Sequence, residues 1–163
     1  MKVRGYEPAD AVRITEIYNG YIDTSHATFE LERIDVKEMC RRIGDTVAGG
    51  YPFLVCEMDG AAAGYAYGRA FRPRPGYRST IEVAVYVGPD FCGNGVGTAL
   101  YTDLFDSLRR NEYHSAIATI ALPNDASVRL HENFGFEKAG HFKEAGFKFE
   151  RWIDVGYWQL MLG

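Results

Sequence analysis

Two hydrophobic periods alternate along this chain of 163 residues, and its elements follow from where one gives way to the other. Lys2-Val3-Arg4 reads as a short strand. After Asp10, the residues Ala11, Ile14, Ile17, Tyr18 and Tyr21 recur at helical spacing and predict a first helix. Asp23 to Arg33 is polar with isolated aromatics, His26 and Phe29, and reads as a loop. Asp35 with Glu38 is a capping-box-like start for a second helix, which turns Val36, Met39, Cys40 and Ile43 inward and ends near Gly49-Gly50. Beyond Gly50 the period shortens. Phe53 to Met58 predicts a strand, Asp59-Gly60 a type I′ hairpin turn, and Ala61 to Arg69 the antiparallel partner. A basic, proline-interrupted loop with Arg69, Arg72, Arg74 and Tyr77 follows.

Thr80 to Val87 is rich in β-branched and aromatic residues, as a buried strand is. Gly88-Pro89-Asp90-Phe91 breaks it, and Cys92 to Thr98 leads into a helix whose apolar residues, from Ala99 to Phe105, fall at helical period. His114 to Leu122 predicts another strand, Asn124-Asp125 caps a short helix from Ser127 to Asn133, and Gly135 suits its C-terminal end. Phe136 to Leu162 reads as two strands around a turn near Glu150. The order is strand, two helices, three strands, helix, strand, helix, two strands. That is a mixed α/β sheet with helices on its faces, not a regular doubly wound parallel fold.

Composition narrows the function classes. The length predicts one domain with a proper core, and 47% apolar with 25% charged residues is ordinary for a soluble globular protein. A net charge of −4 argues against a nucleic-acid binder. The first residues lack an apolar signal core, and no apolar run approaches membrane-spanning length, so neither a leader nor a membrane partner is expected. Cys40, Cys56 and Cys92 are few, odd in number and scattered. They make neither a disulfide scaffold nor a metal knuckle, and they predict a reducing cytoplasm with no metal. Cys40 and Cys56 are expected in the core.

The chemistry concentrates between Ser79 and Asp103. Three alternate glycines, Gly93, Gly95 and Gly97, precede a helix, leaving backbone N–H groups to cradle a phosphate at the positive end of the helix dipole. Glu82 is the one carboxylate of the strand upstream. A dinucleotide fold needs its third glycine one residue later and an early strand before the loop, and a P-loop needs a Lys after the glycines. Both fail.

The loop Cys92-Gly93-Asn94-Gly95-Val96-Gly97 resembles the Gln/Arg-x-x-Gly-x-Gly/Ala signature of the GNAT superfamily of N-acetyltransferases, and Asn124, His131 and Gly135-Phe136 match a second pattern of that family. Longer stretches are similar to the phosphinothricin and methionine sulfoximine acetyltransferases. They include Tyr18 to Ser25 with Glu30, Leu122 to Glu132, Ala145 to Lys148 and Asp154 to Leu160, so the resemblance spans essentially the whole chain. It implies a GNAT fold, of α+β type, with a mostly antiparallel sheet of about seven strands and helices on both faces. It implies acetyl-CoA as cosubstrate, a small amine as acceptor and a homodimer. The first loop position, Gln or Arg in the family, is Cys92 here, which puts one contact to the pyrophosphate in question.

Acetyl transfer to an amine needs a group that takes a proton from the ammonium and favours a source of one for the departing thiolate. A carboxylate on a buried strand can do the former. The resemblance places the catalytic Glu at Glu82 and a proton-handling residue at His131, whose direction of transfer stays open. Read without the resemblance, Glu82 is equally a strand carboxylate paired to a surface arginine. The resemblance further puts Val85, Tyr86 and Val87 beside the pantetheine arm, Gly93, Asn94, Gly95, Val96, Gly97 and Thr98 on the pyrophosphate, and Asn124 and Asn133 on the coenzyme. Arg72, Arg74 and Tyr77 would bind the acceptor's anionic group, with Phe29 closing the pocket. A GNAT enzyme acting on another amine or a protein N-terminus, and a non-catalytic coenzyme A-binding module, stand as alternatives.

Overall fold

The computed structural model describes all residues, Met1–Gly163. Its strands are β1 (Lys2–Gly5), β2 (Phe53–Met58), β3 (Ala61–Ala70), β4 (Thr80–Val87), β5 (Ser115–Leu122), β6 (Glu137–Lys148) and β7 (Arg151–Met161), and its helices are α1 (Ala11–Thr24), α2 (Val36–Ala48), α3 (Val96–Arg110) and α4 (Asp125–Asn133). The strands form one seven-stranded sheet in the order β1-β2-β3-β4-β5-β7-β6, and only β4 and β5 run parallel. No helix is long and apolar enough to cross a membrane.

Each face of the sheet carries its own core. Ile14, Ile17 and Ile22 of α1 with Met39 and Ile43 of α2 bury Phe53, Val55 and Tyr65 on one side. Leu100, Tyr101, Leu104 and Phe105 of α3 share one buried cluster with Ile81, Ala118 and Trp158 on the other. Asp59 and Gly60 both have positive φ, 53° and 79°, as the β2–β3 turn requires.

Local signals place the elements well, and the departures have physical causes. Asp10 is buried, but its side chain does not cap α1; it takes two bonds from Arg4, at 2.8 and 2.9 Å, and ties β1 to the helix. Asp35 does cap α2, accepting from Glu38 N at 2.7 Å, while the Glu38 carboxylate turns forward to Arg41 and Arg42 instead of completing the box. Cys40 is exposed, contrary to the expectation of a core position, because α2 buries only the narrow stripe of Met39 and Ile43. Cys56 is buried as expected. Trp158 belongs to the core, whereas Trp152 of the same strand is 61% exposed.

The arrangement that positions the site lies between β4 and β5. These strands pair only at Thr80–Ser115, Ile81–Ala116 and Glu82–Ile117. Beyond Glu82 they part, and the sheet opens as a fork.

Candidate active site

A cavity of about 490 Å³ fills the fork. It is lined by Val83 to Val87 on one side, Thr119 to Ala121 on the other, the glycine loop beneath and α4 above. Tyr21 Oη donates to the Val87 carbonyl at 2.8 Å, so the peptide groups of Val87 face the opening instead of β3. Alternation along a strand turns those of Val85 and Val83 the same way. Tyr21 Oη also accepts from Val87 N at 3.4 Å, and the rest of this edge, which no strand covers beyond Glu82, is a ready partner for an extended amide-bearing ligand. Tyr86 points the other way, stacking on Tyr65 at 5.4 Å.

The glycine loop closes one end. Gly93 and Gly95 both have φ of 80°, a left-handed backbone that glycine adopts without strain, and Gly95 precedes the first turn of α3, whose N–H groups have no partner within the helix. Gly97 answers a different constraint. A Cβ there would lie 3.1 Å from Leu130 Cδ2, so it lets α3 and α4 approach closely. Gly93, Gly95, Val96, Gly97 and Thr98 all line the cavity; Asn94 does not. Cys92 lines it too, four residues before the start of α3, with its thiol 3.5 Å from the Gly88 carbonyl it donates to. Asn124 and Asn133 border the cavity from the two ends of α4, and Asn124 Oδ1 also caps that helix by accepting from Ser127 N at 3.2 Å.

Glu82 sits at the crotch of the fork. Its carboxylate is not isolated: Arg69 Nη2 donates to Oε1 at 2.9 Å and Arg69 Nε to Oε2 at 3.2 Å. Thr119 Oγ1 donates to Oε1 at 3.2 Å, and Thr119 lines the cavity. The carboxylate therefore reaches the cavity through Thr119. His131 is buried between α4 and α3. Its Nδ1 is 2.7 Å from the Ser127 carbonyl and its Nε2 is 2.8 Å from Tyr101 Oη. Burial lowers the His131 pKa, against the Ser127 carbonyl, which favours the protonated ring. Burial also drives the Tyr101 pKa well above its ordinary value, so its hydroxyl keeps its proton.

The acceptor residues expected from the sequence are spread more widely. Arg72, Arg74 and Tyr77 stand exposed on the β3–β4 loop, which leaves the sheet one rung beyond the Arg69–Glu82 pair; Arg72 lies 4.6 Å over the Phe71 ring. Phe29 does not line the cavity, although Ala27 of the same loop does. Phe29 packs so closely on Gly146 of β6 that any Cβ there would strike its ring. Lys148 holds this loop, donating to the carbonyls of Ser25 and Thr28 at 2.7 and 2.9 Å.

Arg69, Tyr101 and Thr119 stand at the site without a motif in the sequence that marks them. Thr119 left a trace, as the only polar residue of Ala116 to Ala121. A tyrosine on the apolar face of α3 needs a buried partner for its hydroxyl, which is a signal without an address.

A family model described as an acetyltransferase (GNAT) domain matches residues 3–156. The chain belongs to the GNAT acetyltransferase family. A phosphinothricin N-acetyltransferase of Streptomyces viridochromogenes is 38% identical over 159 residues, covering 98% of this chain and 86% of the relative. An L-methionine sulfoximine/L-methionine sulfone acetyltransferase of Salmonella typhimurium is 36% identical over 162 residues, covering 99% and 95%. The crystal structure of a GNAT phosphinothricin acetyltransferase from Sinorhizobium meliloti, in complex with acetyl-CoA, superposes with a TM-score of 0.96 at 36% identity, covering 99% of this chain and 88% of that one. The seven-stranded, mostly antiparallel sheet with helices on both faces is the GNAT fold, and the chain is an acetyltransferase.

Proposed function

We propose that this acetyltransferase uses acetyl-CoA to acetylate the α-amino group of a small glutamate- or methionine-like amino-acid analogue, such as phosphinothricin, methionine sulfoximine or methionine sulfone. The observation that carries the reading is the position of Glu82. A carboxylate stands where β4 and β5 part, joined by Thr119 to a cavity whose open strand edge and glycine loop suit a pantetheine arm and a pyrophosphate.

In this reading Val85 and Val87 pair with the arm, Tyr86 backs that edge, and Gly93 to Thr98 hold the pyrophosphate. Asn124 and Asn133 touch the coenzyme. The whole chain acts as one acetyltransferase domain. The amine nitrogen loses one proton before attacking the thioester and a second afterwards, and the departing thiolate takes one up. Glu82 receives the first, directly or through water. His131 takes the second through the Tyr101 hydroxyl and returns it to the thiolate, which leaves one proton for solvent. The unprotonated Nε2 supports this direction, because it can only accept. Arg72, Arg74 and Tyr77 bind the acceptor's distal anionic or polar group, and the loop carrying Phe29 covers it.

The chain works as a cytoplasmic homodimer that detoxifies such analogues and confers herbicide resistance. The exposed aromatics Phe142, Phe147, Phe149 and Trp152 on the β6–β7 hairpin support a second copy there. A thiol-release screen of phosphinothricin, methionine sulfoximine, methionine sulfone, the ordinary amino acids and a peptide N-terminus tests the reading. Turnover of the analogues above the rest is expected; turnover of the peptide alone would overturn it.

A further inference from the structure

The proton chemistry above leaves Arg69 without a task, yet it is the most intimate partner of Glu82. The two are Cα partners across β3 and β4, on the last rung before the fork opens. Arg69 spends Nε–H and one Nη2–H on the carboxylate. Both hydrogens of Nη1 and the second of Nη2 have no protein partner, and the side chain is 57% exposed against 18% for Glu82. A carboxylate offers about four acceptor directions. Arg69 and Thr119 fill two on Oε1 and one on Oε2, which leaves one open on Oε2. The pair therefore presents an unfilled acceptor next to a free edge of guanidinium donors.

An α-amino acid carries the complementary pair, an ammonium and a carboxylate on one carbon. We infer that Arg69 is a specificity-determining residue that binds the α-carboxylate of the acceptor with its free guanidinium edge while Glu82 engages the adjacent amine. The inference rests on the acetyl-transfer reading given above and deepens it. Guanidinium and carboxylate form paired, charge-assisted hydrogen bonds. A simple amine brings a positive charge to the same guanidinium with nothing to offset it, so the site also selects against its competitors. Arg72 and Arg74 are then left for the far end of the acceptor.

The test compares methionine sulfone with its α-carboxamide as acceptors, in the wild type and in Arg69→Gln and Arg69→Lys, with thermal unfolding run to show that each variant folds. The wild type should prefer the acid. In Arg69→Gln the ratio of kcat/KM for acid over amide should fall about 10- to 100-fold, the loss of a charged hydrogen-bond pair, with the change in the KM of the acid. Arg69→Lys, which keeps the charge without the fork, should recover part of the ratio. An unchanged ratio, with kcat lowered equally for both acceptors, would mean that Arg69 only props Glu82 and overturns the inference. A wild type that acetylates acid and amide equally overturns it while leaving the acetyl-transfer reading intact; a wild type that acetylates neither, nor phosphinothricin nor methionine sulfoximine, overturns both.

Discussion

Tyr101 donates its hydroxyl hydrogen to Nε2 of His131 across 2.8 Å of buried interface between α3 and α4. The direction follows from the other ring nitrogen. The Ser127 carbonyl, 2.7 Å from Nδ1, has no hydrogen to give, so Nδ1 carries one, and a neutral ring then has a bare Nε2. The imidazole is held in one tautomer by a backbone group four residues earlier on its own helix.

This neutral histidine should make stability depend on pH. A histidine in the unfolded chain titrates near ~6.5, whereas burial lowers the folded value. Below ~6.5 the unfolded chain takes up a proton that the folded chain refuses, so the unfolded state gains. Stability from this group is complete above that value and declines as pH falls toward the folded pKa. Urea unfolding at pH 7.5, 6.5 and 5.5 should show this decline in the wild type and a shallower one in His131→Gln. Parallel slopes would mean that the ring titrates normally in the fold.

Glu82→Gln should lower kcat by about 10²- to 10⁴-fold, the usual contribution of a positioned acid–base group. Glu82 is not among the residues lining the cavity, so calorimetry should find the acetyl-CoA affinity unchanged. An unaltered kcat removes Glu82 from the mechanism.

Gly97→Val should abolish acetyl-CoA binding. Its Cβ would stand 3.1 Å from Leu130 and 3.9 Å from Val87, and the two added methyls must force α3 and α4 apart or enter the cleft. Overpacking of this kind costs about 1–3 kcal/mol of stability in addition. A calorimetric Kd equal to the wild type's would count against the phosphate cradle.

Lys148→Met should destabilise the fold by about 1–3 kcal/mol, because it strands the carbonyls of Ser25 and Thr28 that the buried ammonium satisfies. The freed segment carries Ala27 and Phe29, so the KM for the acceptor should rise in initial-rate assays. A stability loss with no change in KM would confine Lys148 to holding the loop.

The elements that build the fork and its cavity were legible in the chain wherever their cause is local. Thr80–Val87 has the β-branched composition of a strand, Asp59-Gly60 has the two residues that tolerate positive φ, Asn124 caps its helix as its position suggests, and the alternate glycines mark the loop before α3. Cys40 misleads for the same reason, since helical spacing tells which residues share a face but not how wide a stripe the neighbouring sheet covers.

By itself the sequence determined the elements, their order and the presence of Glu82, His131 and the glycine loop, because propensity, turn chemistry and periodicity act over a few neighbouring residues. The tertiary structure alone decided what these groups face. Arg69 meets Glu82 across 13 residues of chain, Tyr101 meets His131 across 30, and Lys148 meets Thr28 across 120. Those partners come from strands and helices packed side by side, and the fork that turns the β4 edge toward a ligand exists only because β5 leaves it after Glu82.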